Sequence, residues 1–496
     1  MNNSIQYFQE VCIKRFMEIQ EELFKNPTKF ADFVTDLDTE LRKFGVKIIE
    51  ETLEEMDKMI QASLKRRMHW VIEDHDEKQM ITTLGTAHFS KTLYRYKDGK
   101  DENGKEIMCY LLDKTLGFTE NQRVSDDAVA KMYGEAVQTS YRRGGEAINR
   151  DDSVSKEAVK DLLHKTKFPA NFKIPEIKKQ VDYLYIDADE DHFSLQFKDK
   201  KGDLEKNEQG RKLNGAITKL IYVYEGIEAD APKSKRNHLI NPHYFCRGTD
   251  DNAKLWDEVY AYIDATYDIS KIKQIYINSD GGAWIKAGYK RITGIQYVLD
   301  EFHLSKYVLK LTSHMLDSQS DARIRVCETI REKEKKDFVE LVEELKGYTE
   351  KENELKKIDN AADYIKSNWA AAKRRLWKKD GIAACSAEGH VSHVLSSRMS
   401  TQAMGWSRLG AHQMAHLREY YYNGGNMLEL AEYQHEELPV AVGAENDVLS
   451  FAEIMRTEIA GRSKKEKELG KYSKAISNSW SSQTQKRYSL YINHWF

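Results

Sequence analysis

Apolar residues at the start of the chain recur at three- and four-residue steps, with charged residues between them. Ile5, Phe8, Cys12, Phe16, Ile19 and Leu23 form one series, Phe30, Val34, Leu37, Leu41 and Phe44 a second, and Ile49, Leu53, Met56 and Ile60 a third. Steps of this size fall on one face of a helix, so the pattern predicts long amphipathic helices over roughly the first 70 residues. After Gln79 the texture changes. ITTLGTAHFSKTLYRY and EIMCYLLDKTLGF, on either side of a turn rich in Asp and Gly at 97–105, predict a hairpin. The helical period returns in SDDAVAKMYGEAVQTSYRRGGEAI and, after NRDDS, in VSKEAVKDLLHKTK. The break at Arg142–Gly145 and the cap-forming Ser153 and Ser155 predict short helices of helix-turn-helix type, the last carrying Lys156, Lys160, His164 and Lys165 outward.

Further on, VDYLYIDADEDHFSLQF, GAITKLIYVYEGIE and NHLINPHYFC read as strands. A helix, NAKLWDEVYAYIDAT, and another strand ending IKQIYINSDGG follow, which makes this an α/β region. IQYVLDEFHLSKY is a strand or a short helix, residues 318–378 are highly charged and helical, and Glu388–Met399 and Leu409–Tyr422 read as helices that return to the core. The end of the chain, 461–496, carries eight Lys and Arg against two Glu, with Trp480, Tyr488, Tyr491 and Trp495 interleaved. A basic segment with aromatics can track a nucleic-acid backbone, or it can stay solvated.

At 496 residues the chain is too long for one ordinary core, which excludes a single small binding module. Its 77 Lys and Arg against 80 Asp and Glu leave a net charge of -3, so a nucleic-acid surface has to be a local patch. The five scattered cysteines include no Cys-x-x-Cys, which argues against a disulfide framework or a zinc knuckle and for reduced thiols in the cytoplasm. No apolar run approaches the roughly 20 residues that cross a bilayer, so a protein neither exported nor membrane-spanning is expected.

Three acids stand out by position. Asp189 lies in a strand, Asp280 ends the run IYINS before Gly281 and Gly282, and Glu388 begins a helix after GIAACSA. Hard oxygen ligands of this kind suit two Mg²⁺ (or Mn²⁺) ions that activate a water or a sugar hydroxyl at a phosphodiester. Asp187 shares the strand face of Asp189, and period two does not choose between them. Asp300 and His303, at i and i+3, can orient each other or touch DNA, and His390 and Arg398 follow Glu388 on a helix from which phosphates are reachable.

YLYIDADEDHFSLQ, YINSDGGAWIKAG, LDEFHLSKY and AEGHVSHVLSSRMSTQAMGWS together resemble the DDE transposases of bacterial insertion sequences, of the ISLre type and more distantly Mutator-like. The resemblance runs from the N-terminal helices to about Gly425. It implies a ribonuclease H-like catalytic core, Asp189, Asp280 and Glu388 as the acidic triad, and the charged helices before Glu388 as a helical insertion. It also fits Asp189 better than Asp187 as the first acid, and matches Asp300-x-x-His303 to a short element after the second acid.

The organisation then reads as a helical region for self-association at 1–75 and a hairpin with a helix-turn-helix-like DNA-binding region at 76–170. The core occupies 178–310 and 381–440 around an insertion at 311–380, and a basic tail spans 441–496. The expected activity is binding of terminal inverted repeats in double-stranded DNA, metal-dependent cleavage and strand transfer to target DNA, by a homodimer or higher oligomer associated with the bacterial nucleoid. The alternatives are a DNA-binding regulator without catalysis and a metal-dependent nuclease without strand transfer.

Overall fold

Period-two alternation builds the main sheet of this protein, and the run YLYIDADE shows how. The computed structural model describes residues 2–435 apart from 101–103, 120, 198–199, 205, 207–209, 235, 249–250, 378–380 and 403. The basic tail expected at 441–496 lies outside the described residues. Ten strands occur among the described residues: β1 (Trp70–Ile81), β2 (Thr86–Lys100), β3 (Glu106–Tyr110), β4 (Tyr183–Ser194), β5 (Gly215–Tyr224), β6 (Gly226–Ala229), β7 (Asn237–Ile240), β8 (His243–Arg247), β9 (Gln274–Ser279) and β10 (Ile295–Leu299). The chain divides into two compact units, one of Met1–Val129, Ile148–Asp152 and the described residues at 434–435, the other of Ala130–Ala147 and Ser153–Tyr433.

In the first unit a 33-residue helix, Phe30–Ala62, packs on an antiparallel sheet of order β1-β2-β3. Met59 and Ile60 meet Trp70, Met80, Phe89, Tyr94, Leu111 and Leu112 in its core. Strand β1 begins at Trp70, well before Gln79 where the alternation becomes visible, because the intervening EDHDEK stretch is largely solvent-exposed. Charge on an edge strand discourages pairing with another chain, and it also hides the strand from a hydrophobic pattern. The segment EIMCYLLDKTLGF is a strand only to Tyr110. From Leu111 to Leu116 it is a helix, ended by Gly117 in the left-handed region (φ 71°). That helix delivers Asp113 to a buried site between Lys78 (3.0 Å) and Lys91 (2.5 Å). Phe30, Val34, Leu41 and Ile48 remain exposed along the long helix.

The second unit is built on a five-stranded sheet of order β10-β9-β4-β5-β8. Strands β4, β5 and β8 are antiparallel in succession, whereas β9 runs parallel to β4 and β10 parallel to β9. Leu184, Ile186 and Ala188 of β4 point to an apolar face shared with Ile221, Val223, Phe245, Ile275 and Ile277, and helix Asn252–Thr266 covers it with Leu255, Trp256, Val259 and Ile263. The alternate positions carry tyrosines and acids. Between β10 and Glu388 the chain forms five helices, Glu301–Thr312, Gln319–Glu332, Lys335–Lys346, Glu352–Ser367 and Trp369–Trp377, which share a core of their own around Leu304, Val326, Phe338, Leu341, Ile358 and Ile365. The charged stretch is thus an amphipathic bundle. Helix Lys156–Lys165 packs on helix Arg408–Tyr422, where Gln413 donates to the carbonyls of His164 and Thr166 (3.0 Å each). Among the described residues, no helix is long and apolar enough to cross a membrane.

Two predictions follow from these cores. Removing the carboxylate of Asp113 strands two buried ammonium groups, so Asp113→Ala should lose about 3 kcal/mol or more in urea unfolding; a change below 1 kcal/mol would refute the role of this ion pair. His243 lies flat against Tyr262 (ring centroids 4.2 Å), and burial pushes its imidazole down to about 4. A lowered histidine pKa means that the unfolded chain takes up the proton first. The stability from this group is complete above about pH 6.5 and is lost as the pH falls toward 4. Relative to His243→Phe, the wild type should therefore lose about 1–2 kcal/mol between pH 8 and pH 5, measured as the difference between the two unfolding curves at each pH.

Candidate active site

On the second face of the sheet, the parallel register pairs Tyr183 with Gln274, Tyr185 with Tyr276 and Asp187 with Asn278. Asp189 and Asp280 each lie two residues beyond that last pair, one at the end of the parallel ladder on β4 and the other just past β9. Side-chain period two keeps both on the face of Asp187. The adjoining strand places Tyr222 opposite Asp187 and Tyr224 opposite Tyr185. The sequence thus brings two acids together where the parallel ladder between β4 and β9 ends.

Asp187 and Asp189 differ in surroundings. Asp187 has no solvent exposure and accepts four hydrogen bonds, from Tyr222 (2.7 Å), Tyr224 (3.1 Å), the Asn278 amide (2.7 Å) and the backbone N–H of Ser386 (3.0 Å). Burial raises its pKa, and these donors oppose the rise. Its lone pairs are committed to holding the fold together. Asp189 is half-buried and accepts from the N–H of Glu190 (2.8 Å). Burial, and then the negative charges of Asp280 and Glu388, push its carboxyl up to about 7. Asp280 and Glu388 therefore each lie within electrostatic reach of Asp189. Among the described residues, no three Asp, Glu, His or Cys side chains already form a closed cluster able to hold a metal ion.

Asp280 sits on a sharp turn. Its side chain accepts from the N–H of Gly282 (2.9 Å), Tyr364 donates to its carbonyl (2.6 Å), and Gly281 adopts φ 86°. A Cβ on Gly281 would stand 2.5 Å from the Tyr297 hydroxyl and 2.7 Å from Asn368 Oδ1, so only glycine fits there. Glu388 lies exposed in the first turn of the short helix Ala387–Val391.

Asp300 caps helix Glu301–Thr312, accepting from the N–H groups of Phe302 and His303 (3.3 Å each) and from His303 Nδ1 (2.8 Å). The pair anticipated as sharing a helical face is therefore a cap that orients an imidazole. Its hydrogen bond to Asp300, with Asp280 and Asp189 adding to it, raises the His303 pKa, which places this ring among the acids.

Of two expected phosphate contacts, Arg398 lies in the interior and His390 is half-buried. Arg398 is 1% exposed, donates to the Ala136 carbonyl (3.0 Å) and is packed against the rings of Tyr141 and Trp406. His390 is packed against Tyr222 (4.6 Å), its Nδ1 lies 3.1 Å from the Tyr244 hydroxyl, and burial takes it down to about 4, so it is neutral at physiological pH. Neither presents a cation to a phosphate on the surface. Lys156 and Lys160 do reach solvent, each beside an acid of its own helix, Glu157 (3.6 Å) and Asp161 (3.1 Å). Sequence reasoning missed Tyr222, Tyr224, Asn278, Ser386 and Arg375, the residues that surround Asp187; the one local signal was the tyrosine-rich alternation of β4 and β5.

Comparison with known proteins adds sequence relatives. Two UPF0236 proteins of Caldanaerobacter subterraneus subsp. tengcongensis are each 33% identical to this chain, one over 84% of it and 83% of the relative, the other over 87% and 85%. Among solved structures, the Drosophila P element transposase strand transfer complex aligns over 64% of this chain and 82% of that one, with 9% identity and a TM-score of 0.21, a superposition too loose to carry an argument. Residues 23–436 match one family throughout, spanning the long helix, all ten strands, the helical bundle before Glu388 and Asp189, Asp280 and Glu388, and the chain belongs to that family, the uncharacterised protein family UPF0236.

Proposed function

We propose that this protein is a DDE-type DNA transposase, which cleaves double-stranded DNA at element ends and joins the freed 3′-hydroxyl to target DNA. The observation that carries the reading is that Asp189 and Asp280 each follow by two residues the last pair of the parallel β4–β9 ladder, with Glu388 within electrostatic reach of Asp189. Three antiparallel strands followed by two parallel ones, with helices on both faces, fit the ribonuclease H-like core that the sequence resemblance implies.

The donor chemistry fits a divalent metal. Asp189, Asp280 and Glu388 are hard oxygen donors, and the Asp189 carboxyl is raised first by burial and then by the negative charges of Asp280 and Glu388, which a divalent cation would offset. These three would hold two Mg²⁺ or Mn²⁺ ions, whose chemistry is to activate the attacking water or hydroxyl and to stabilise the departing oxygen. His303, fixed at Nδ1 by Asp300, keeps Nε2 for a proton or a phosphate oxygen at the site. Lys156 and Lys160 offer positive charge to the duplex backbone, and the exposed stripe Phe30, Val34, Leu41 and Ile48 offers a surface for pairing two copies at two DNA ends.

The test uses the purified full chain and DNA carrying the ends of its own element. Removing a residue that merely supports a metal ligand typically costs 10–100-fold. Asp189→Asn, Asp280→Asn and Glu388→Gln should therefore each lower cleavage by more than roughly 100-fold while end binding persists. Chelator should abolish cleavage, and Mg²⁺ or Mn²⁺ should restore it. Cleavage without joining would reduce the protein to a nuclease, and end binding without cleavage by the wild type would make it a regulator.

A further inference from the structure

Arg375, in the last helix of the inserted bundle (Trp369–Trp377), is buried and donates to three separate segments. Its Nε bonds the Leu299 carbonyl at the end of β10 (2.8 Å), one terminal nitrogen bonds the Ala383 carbonyl (2.7 Å), and the other bonds Asn278 Oδ1 on β9 (2.6 Å). Asn278 passes the connection on through its amide to Asp187 (2.7 Å). The second oxygen of Asp187 takes the Ser386 N–H, and the Tyr222 hydroxyl that also bonds it lies 2.8 Å from Ser386 Oγ. One continuous network thus grips the chain at Ala383 and again at Ser386, and Glu388 follows two residues later.

The same stretch has little else to fix it on one flank. Ile382 and Ala384 line a cavity of about 720 Å³ together with Arg375 itself and residues of helices Glu301–Thr312 and Gln319–Glu332. Where packing is open, the hydrogen bonds that the chain makes with Arg375 and Asp187 set its position. A planar guanidinium satisfied by three acceptors in a buried site is a rigid fork that an ammonium cannot reproduce.

We propose that Arg375, acting through Asn278 and Asp187, is the positioning residue by which the inserted bundle places Glu388. The inference rests on Glu388 being the third acid of the site. Cys385 sits inside the gripped stretch, half-buried and with its thiol pushed well up by burial, so a change in its alkylation rate reads the stretch directly without any DNA chemistry.

The experiment compares wild type with Arg375→Lys, and with Tyr222→Phe in case the first variant does not fold. N-ethylmaleimide labelling of the native chain is followed at Cys385 by mass spectrometry, with buried Cys246 on β8 as the internal reference. Loss of charge-assisted hydrogen bonds from a locally opening segment should raise the Cys385 rate by about tenfold or more and leave the Cys246 rate unchanged. In cleavage assays the same variants should lose kcat while KM for DNA stays at the wild-type value. A Cys385 rate within twofold of wild type in both variants would overturn the inference, even if cleavage fell. Faster Cys385 labelling in a protein whose wild type cleaves no DNA would uphold the positioning network and overturn the transposase reading.

Discussion

A carboxyl group with no solvent exposure has to be surrounded by donors, and Asp187 draws its donors from β5, from β9 and from the chain just before Glu388. Left unpaired, such a group would cost several kcal/mol. That penalty makes the sheet register and the docking of residues 383–386 interdependent. Slipping β9 by one residue would turn Asn278 away from Asp187 and carry Asp280 to the opposite face from Asp189, because strand side chains alternate. The arrangement of the candidate site is thus tied to satisfying one fully buried acid beside it.

Much of this was legible in the chain. The alternation in YLYIDADE separates Leu184, Ile186 and Ala188 from Tyr183, Tyr185, Asp187 and Asp189, and the structure uses the first set for the apolar core and the second for the polar face. Local periodicity could not decide which acid is buried, since both lie on one face. The difference comes from Tyr222, Asn278 and Ser386, which stand 35, 91 and 199 positions away from Asp187. For the same reason Arg398 looked like a surface cation on a helix. Its burial against Tyr141 and Trp406 depends on aromatic partners outside its helix.

The N-terminal unit shows the complementary failure. The helical period of Phe30–Ala62 is plain, but β1 starts with the consecutive apolar residues Trp70, Val71 and Ile72 and runs on into the charged stretch EDHDEK, so no hydrophobic alternation marks its first half. Leu111–Leu116 looked like a continuation of the strand before it because apolar residues suit either state over so short a run. What makes it a helix is tertiary: it carries Asp113 to Lys78 and Lys91 and ends on a left-handed glycine.

The long separation between Asp280 and Glu388 raises a physical question that the inserted bundle answers. Loop-closure entropy grows only slowly with length, so a large insertion between two site residues is tolerated thermodynamically. Placement within an ångström is a different requirement, and a long connection supplies none of it. The bundle folds around its own core, so it returns the chain from one rigid body, and its last helix is anchored to the ends of β9 and β10 through Arg375. An insertion that ended in a flexible strand would leave Glu388 unanchored; one that ends in a buried guanidinium fixed to the sheet ties the chain before Glu388 to the strand that leads into Asp280 and, through Asn278, to the strand of Asp189.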